Sequence, residues 1–153
     1  MGDEMATGFE RGTDGPRVIV VGIDGSEVSW RAGAYAAGLA RRQNALLAIV
    51  YVQPVPVVAT PYGVMVVGVT GEAAAELLRE IREQAQRMKD VFDVRWKFVT
   101  LHGDAFNGLV KAADELEADA VVVGASEHAG HRVVGSVAVR LVKAARWPVT
   151  VVP

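Results

Sequence analysis

Two glycines and a serine in the last third of the chain have the types and spacing needed to bind an anion. Gly124 follows the apolar, largely β-branched run at 120–123, and Gly135 and Ser136 open a segment of helical periodicity. The order is therefore strand, polar loop, helix start. Unpaired amides at a helix start attract anions, glycine lets phosphate oxygens approach them, and Ser136 adds a hydroxyl. The same pattern also occurs where an α/β chain simply changes direction.

The polar residues of this loop allow two other kinds of site, which the sequence does not favour. Glu127, His128 and His131 are metal-ligand types, but a closed metal site needs a fourth ligand and a supporting shell, so we predict no metal. Ser136, His131 and Asp24 can be drawn as a hydrolytic triad. The chain has no G-x-S-x-G motif, however, and we predict no catalytic residues.

The composition excludes several classes of partner. The chain has 153 residues, of which 51% are hydrophobic, a net charge of −2 and no cysteine. This length predicts one domain, and the balanced charge predicts no binding to nucleic acid or to an anionic membrane surface. The absence of cysteine is consistent with a reducing compartment, and we expect a cytoplasmic protein. Residues 1–16 are polar and glycine-rich, which predicts a flexible tail rather than a signal peptide.

Apolar runs and helical periodicities alternate along the rest of the chain. Strands are predicted at 17–23, 45–52, 94–101, 120–123 and 149–152, and helices at 26–44, 71–91, 109–116 and 136–145. The strand at 94–101 alternates in polarity, so we place it at an edge of the sheet. Prolines and glycines predict an extended loop from 54 to 70, mobile at 60–70 without ligand. It is interpreted either as a lid or interface or as apolar chain packed on the sheet.

Alternation of strand and helix predicts a doubly wound α/β domain with a single, mainly parallel, five-stranded, Rossmann-like sheet. In such sheets a ligand lies beyond the carboxyl ends of the strands, where the strand order reverses. If the order is 3-2-1-4-5, the crevice lies between the first and fourth strands. It then brings Asp24, Val52 and the segment 124–136 together from distant parts of the chain.

Four separated segments resemble the universal stress protein (UspA-like) family. They are VIVVGIDGS at 18–26, YVQP at 51–54, DAVVVGAS at 119–126 and GSVAVRLVKAARWPVTVVP at 135–153. The resemblance covers residues 17–153 and implies a sheet of order 3-2-1-4-5, a role in stress survival and a homodimer formed through the C-terminal strand. Members of the family either bind ATP or a related adenine nucleotide or bind none.

The resemblance also implies roles for individual residues. Asp24 is expected to contact the ribose, the Val52 backbone the adenine, and Gly124, Gly135 and Ser136 the phosphates. The family pattern G-x2-G-x9-G-[S/T] is incomplete here, because Glu127 replaces the middle glycine and the loop is two residues shorter. A carboxylate repels phosphate.

We therefore expect a regulatory module that binds an adenine nucleotide (ATP, AMP or cyclic AMP) weakly, with reduced preference for a long phosphate chain. A ligand-free dimeric scaffold of the non-ATP-binding class and a slow ATPase are the alternatives. The sequence favours a binding module over an enzyme.

Overall fold

The computed structural model describes residues 15–66, 68, 71–87, 93–128 and 131–153, with the backbone alone at 127–128 and 131–133. Its elements follow one another as β1 (Val18–Gly22), α1 (Glu27–Gln43), β2 (Leu46–Gln53), β3 (Val57–Thr60), β4 (Gly63–Val66), α2 (Glu72–Arg87), β5 (Trp96–His102), α3 (Ala105–Glu115), β6 (Ala120–Gly124), β7 (Ser126–His128), β8 (His131–Val133), α4 (Ser136–Ala144) and β9 (Val149–Val152). Apart from Gly15 and Pro16, the predicted tail lies outside the described residues, as do the last positions of the predicted 71–91 helix.

Five parallel strands form the central sheet in the order β5-β2-β1-β6-β9. Counted along these five strands, the order is 3-2-1-4-5, so the predicted topology is confirmed. The strand order reverses between β1 and β6, whose Val20 and Val121 are register partners. The predicted edge position of the 94–101 strand is also confirmed, because β5 ends the sheet.

Helices cover both faces of the sheet and create two apolar cores. Successive residues of a strand point to opposite faces. In β6, Val122 accordingly joins the core beneath α1 and α2, while Val121 and Val123 join the core beneath α3 and α4. All three valines are buried. Burial on both faces is the reason that the run at 120–123 is continuously apolar rather than alternating.

The prediction of an extended loop at 54–70 is wrong in one respect, because this segment contains an antiparallel hairpin. β3 pairs with β4 from Val57↔Val66 to Thr60↔Gly63. Pro61 lies in the turn, and Gly63 has a φ of 125°. The Thr60 hydroxyl donates to the Gly63 carbonyl at 2.8 Å. The prolines thus lie outside the two strands and do not prevent valine-rich pairing.

The loop after β6 also contains a short hairpin that the sequence did not predict. β7 pairs antiparallel with β8, and the register places position 127 opposite position 132. The hairpin occupies the region where the family pattern has its middle glycine. Among the helices of the described residues, none combines the length and apolar composition needed to cross a bilayer.

Candidate functional site

A crevice of about 200 Å³ lies at the carboxyl ends of β1 and β6. All five residues that the sequence predicted as a site line it, namely Asp24, Val52, Gly124, Gly135 and Ser136. They come from the ends of three strands and the start of one helix. The fold therefore brings together residues that are up to 112 positions apart (136 − 24) in the sequence.

Asp24 and two serines form a hydrogen-bonded turn between β1 and α1. The Ser26 amide donates to Asp24 Oδ1 at 2.9 Å. Ser26 is the N-cap of α1, and its hydroxyl accepts from the Ser29 amide at 3.2 Å. The Ser29 hydroxyl donates to the Ser26 carbonyl at 2.8 Å and accepts from the Asp24 amide at 3.3 Å. This network fixes the Asp24 backbone and leaves its carboxyl group at the crevice.

The carboxyl group of Asp24 is held in its ionised form. Displacement of water by the surrounding protein raises its pKa, but hydrogen bonds outweigh this effect and hold the pKa below the ordinary value of 3.8. The largest of these lowering effects come from the Ser26 hydroxyl and the Ser26 amide. An ionised carboxylate accepts hydrogen bonds and cannot donate them. It therefore suits a ligand hydroxyl and repels a phosphate.

The opposite end of the crevice is the start of α4. Its N-cap is Gly135, which makes no side-chain capping bond. Ser136, Val137 and Ala138 line the crevice. These are the first three residues of the helix, whose amides have no intrahelical acceptor. The arrangement provides backbone donors and the positive end of a helix dipole for an anionic group.

Gly124 lines the crevice, but its missing side chain has a structural cause that the sequence did not reveal. A methyl group at this position would lie 2.6 Å from Val28 Cγ1 and 2.9 Å from the Val28 carbonyl oxygen. The first turn of α1 thus passes directly over the end of β6. Glycine is required here for contact between helix and strand, whether or not a phosphate binds.

The start of α3 also reaches the crevice, although the sequence did not predict this. Ala105 and Leu109 of α3 line it, facing the same crevice as Ser29 of α1. Asp104 caps α3 by accepting from the Asn107 amide at 3.0 Å. An acidic residue before an apolar periodic segment is a helix-start signal. Its position at the carboxyl end of β5 could have indicated a third helix start at this edge.

Arg140 joins the starts of α3 and α4. Its Nη1 donates to the two Asp104 carboxylate oxygens at 3.2 and 3.3 Å, and its guanidinium lies 4.1 Å from the centre of the Phe106 ring. The Asn107 amide, and after it the charge of Arg140, lower the pKa of the Asp104 carboxyl. This exposed pair connects the N-cap of α3 to the second turn of α4.

A larger groove of about 650 Å³ lies on the other face of the sheet, between α1 and α2. Its lining is mainly apolar and includes Trp30, Ile81 and Trp96. Residues 88–92, which connect two of its lining segments in the sequence, lie outside the described residues. Among the described residues, a carboxylate, hydroxyls and uncapped helix amides converge only in the smaller crevice, which is therefore the better candidate site.

The predicted absence of a metal stays a prediction. Among the residues whose side chains are described, no three His, Asp or Glu side chains are grouped so that they could hold a metal ion. The side chains of Glu127, His128 and His131 lie outside that part of the chain. The triad of Ser136, His131 and Asp24 is left undecided for the same reason.

Comparison with known proteins gives consistent matches over the described fold. The model of the universal stress protein family matches residues 16–153. The universal stress protein MJ0531 of Methanocaldococcus jannaschii is 32% identical over 144 residues, which cover 88% of this chain and 80% of that protein.

Two solved structures are similar over nearly their whole length. A protein of the universal stress protein family from Burkholderia pseudomallei is 29% identical with a TM-score of 0.62, covering 90% of this chain and 96% of that one. A universal stress protein in complex with cAMP is 27% identical with a TM-score of 0.64, at the same coverage of both chains. From the family match, the relative and the shared fold, we conclude that this chain belongs to the universal stress protein family.

Proposed function

We propose that the protein is a regulatory module that binds an adenine nucleotide weakly in the crevice between β1 and β6. The observation that carries the proposal is the convergence of Asp24, Val52, Gly135 and Ser136 on one crevice. The similarity to a universal stress protein in complex with cAMP supports the same class of ligand.

The chemistry of each part of the crevice suits a different part of a nucleotide. The ionised Asp24 carboxylate accepts from ribose hydroxyls, and the apolar wall that includes Val50 and Val52 takes the base, with its edge at the Val52 backbone. The amides at the start of α4 take a phosphate, and the Ser136 hydroxyl adds a donor. Gly124 lies beside this phosphate position.

The crevice favours a short phosphate chain. Its volume of about 200 Å³ is below the range of roughly 300–1,000 Å³ typical of sites that enclose a drug-sized ligand. Three helix starts reach the crevice, but those of α1 and α3 are capped by Ser26 and Asp104, so the uncapped start of α4 provides donors for one phosphate group. Glu127 adds a negative charge to the loop after β6, where the family pattern has a glycine. We therefore expect AMP and cyclic AMP to bind at least as tightly as ATP.

Calorimetry with AMP, cyclic AMP and ATP, at fixed salt and with magnesium, tests this order of affinities. We expect dissociation constants within about 10-fold of one another, a difference of about 1.4 kcal/mol. Glu127→Gly is expected to strengthen ATP binding by about 5-fold and to leave AMP unchanged, because it removes one negative charge from the loop where the family pattern has a glycine. Much tighter binding of ATP by the wild-type protein would contradict the role given to Glu127.

A charge placed at the start of α4 tests the phosphate position. Ser136→Asp puts a carboxylate where the phosphate would bind, and an acidic residue in the first turn does not destabilise the helix. We expect at least a 10-fold loss of AMP affinity with unchanged thermal stability. Ala73→Asp is the matched control, because it adds the same charge to an exposed first turn of α2, away from the crevice.

Two alternatives are distinguished by the same samples. If no nucleotide binds at millimolar concentration, the protein is a ligand-free scaffold. If the wild-type protein releases phosphate from ATP over multiple turnovers and Ser136→Asp does not, it is a slow ATPase.

A further inference from the structure

We propose that Gly108 is a positioning residue that sets the β2 wall of the crevice by allowing Val52 to lie directly against α3. This inference rests on the proposed function, because Val52 is the residue expected to contact the base. Gly108 is buried in the first turns of α3 and does not itself line the crevice. It therefore acts through Val52 rather than by touching the ligand.

The backbone does not require glycine at this position. Gly108 lies within α3, where its amide donates to the Asp104 carbonyl at 2.9 Å. Glycine within a helix is less favourable than alanine. The physical reason for glycine here is therefore not the backbone conformation but the packing of β2.

The contact between Gly108 and Val52 leaves no space for a side chain. A methyl group at position 108 would lie 2.5 Å from Val52 Cγ2, 2.8 Å from Cγ1 and 3.3 Å from Cβ. Rotation of Val52 cannot remove the overlap. Valine has two methyl groups on Cβ, and both now face Gly108, so any other staggered rotamer still points one of them at it. Either β2 or α3 must move.

A second contact shows that α3 is closely packed at this end of the sheet. A methyl group at Gly22, the last residue of β1, would lie 3.3 Å from both Leu109 Cδ atoms. Gly108 and Leu109 are adjacent in α3 and contact β2 and β1 respectively. Because Leu109 and Ala105 line the crevice, a displacement of α3 changes its shape as well as the position of Val52.

Gly108→Ala tests the proposal, with AMP and ribose 5-phosphate as probes and NMR titration as the measurement. We expect AMP affinity to fall about 10-fold, because the displaced Val52 wall no longer matches the position of the base. Ribose 5-phosphate, which lacks the base, should bind as it does to the wild-type protein. A general loss of structure would weaken both probes equally, and that result would overturn the proposal.

Gly38→Ala is the matched control, because it makes the same change in α1. The nearest atom to a methyl group there is Arg42 Nη1 at 3.6 Å, an ordinary contact. We expect no change in the affinity of either probe. Val52→Ala combined with Gly108→Ala should restore AMP affinity to within about 3-fold of Val52→Ala alone, because it removes both clashing methyl groups.

If Gly108→Ala does not fold, the double variant of Gly108→Ala and Val52→Ala still tests the proposal. It is expected to fold and to bind AMP as Val52→Ala does, and failure to do so would overturn the proposal. If the wild-type protein binds neither probe, the proposed function is wrong. The contact between Gly108 and Val52 is then tested by the melting temperatures of the two single variants and the double variant. If the shifts of the single variants add up to the shift of the double variant, the two residues are not coupled and the contact is refuted.

Discussion

At the end of β6, the missing side chain of Gly124 makes room for the first turn of α1. Two of the atoms that a methyl group would meet belong to the backbone of α1 and cannot rotate away. They are the Val28 carbonyl oxygen at 2.9 Å and the Val28 carbonyl carbon at 3.0 Å. Gly124→Ala is therefore expected to destabilise the fold by about 1–3 kcal/mol, the usual cost of overpacking. Urea denaturation measures this difference.

The contribution of the Val28 side chain can be separated from that of its backbone. Val28→Ala removes Cγ1, which is 2.6 Å from the added methyl group, but leaves the carbonyl group in place. We expect it to relieve only part of the strain in Gly124→Ala. Gly38→Ala, which meets no atom closer than 3.6 Å, should not be destabilised. Equal stability of Gly124→Ala and the wild-type protein would show that α1 does not pack as described.

Asp24 gives the protein a dependence of stability on pH with a defined sign. Its folded-state pKa is lower than the ordinary value of 3.8, so its contribution is present above pH 3.8 and is lost as the pH falls through the folded-state pKa. Asp24→Asn should destabilise the protein at pH 7 by about 0.5–1 kcal/mol, because this is the usual contribution of an exposed negative charge near the start of a helix. Urea denaturation at pH 7 and pH 2.5 measures the difference in free energy of unfolding between the wild-type protein and Asp24→Asn. The same difference at both pH values would contradict the prediction.

At the level of elements, β3 and β4 form a hairpin with both faces in water. Its large apolar side chains are exposed, namely Val57, Val58, Val64, Met65 and Val66, and Tyr62 in the turn is 100% exposed. A two-stranded hairpin without a covered face is marginally stable in water. We therefore expect amides at 57–66 to exchange with solvent at close to the rate of an unfolded chain, as predicted for a mobile segment.

β6 is the matched internal control in that hydrogen exchange experiment. It is as rich in valine as the hairpin but is buried on both faces. Its amides should be protected to the level of global unfolding. Strong protection at 57–66 in the ligand-free protein would contradict the prediction and would indicate that the apolar hairpin is covered in solution.

The central sheet was predictable because each strand carries its own signal, whereas the hairpins depend on pairing. Val121 to Val123 form a continuous apolar run that ends in glycine, and this pattern is typical of a strand buried on both faces. β3, β4, β7 and β8 have four residues or fewer and lie among prolines, glycines or polar residues. Such segments become strands only through a partner, and register is not visible in composition.

The crevice was predictable to the extent that topology and family motifs determine it. Asp24, Val52, Gly124, Gly135 and Ser136 all lie at strand ends or a helix start, where α/β folds bind ligands. Gly108 and its contact with Val52 could not be predicted, because nothing in the sequence relates a helical glycine to a side chain 56 positions earlier (108 − 52). Close packing between distant segments is visible only in the three-dimensional structure.

At the level of the whole molecule, the two edges of the sheet differ in how they tolerate a partner. β5 presents exposed Lys97 and His102, and charged or polar edge strands discourage pairing. β9 has the sequence VTVV, carries no charge and is half-buried at every position. Identical strands pair readily across a two-fold axis, so we expect a homodimer formed by antiparallel pairing of β9 with its copy.

The backbone of β9 provides a sharp test of this dimer. The Val121 amide donates to the Pro148 carbonyl and the Ala125 amide to the Val152 carbonyl. Since alternate residues of a strand direct their amide and carbonyl groups to opposite sides, Val149 and Val151 direct theirs away from β6, toward the open edge. Val151→Pro thus removes an edge donor without removing a bond to β6.

We expect sedimentation velocity at tens of micromolar to show a dimer for the wild-type protein and a folded monomer for Val151→Pro. Val151→Thr is the matched control, because it keeps both the β-branched shape and the amide donor, and it should remain dimeric. Thr150→Pro should instead destabilise the fold itself, since the amide at 150 is directed toward β6. A monomeric wild-type protein, or a Val151→Pro variant that is still a dimer, would rule out β9 as the interface.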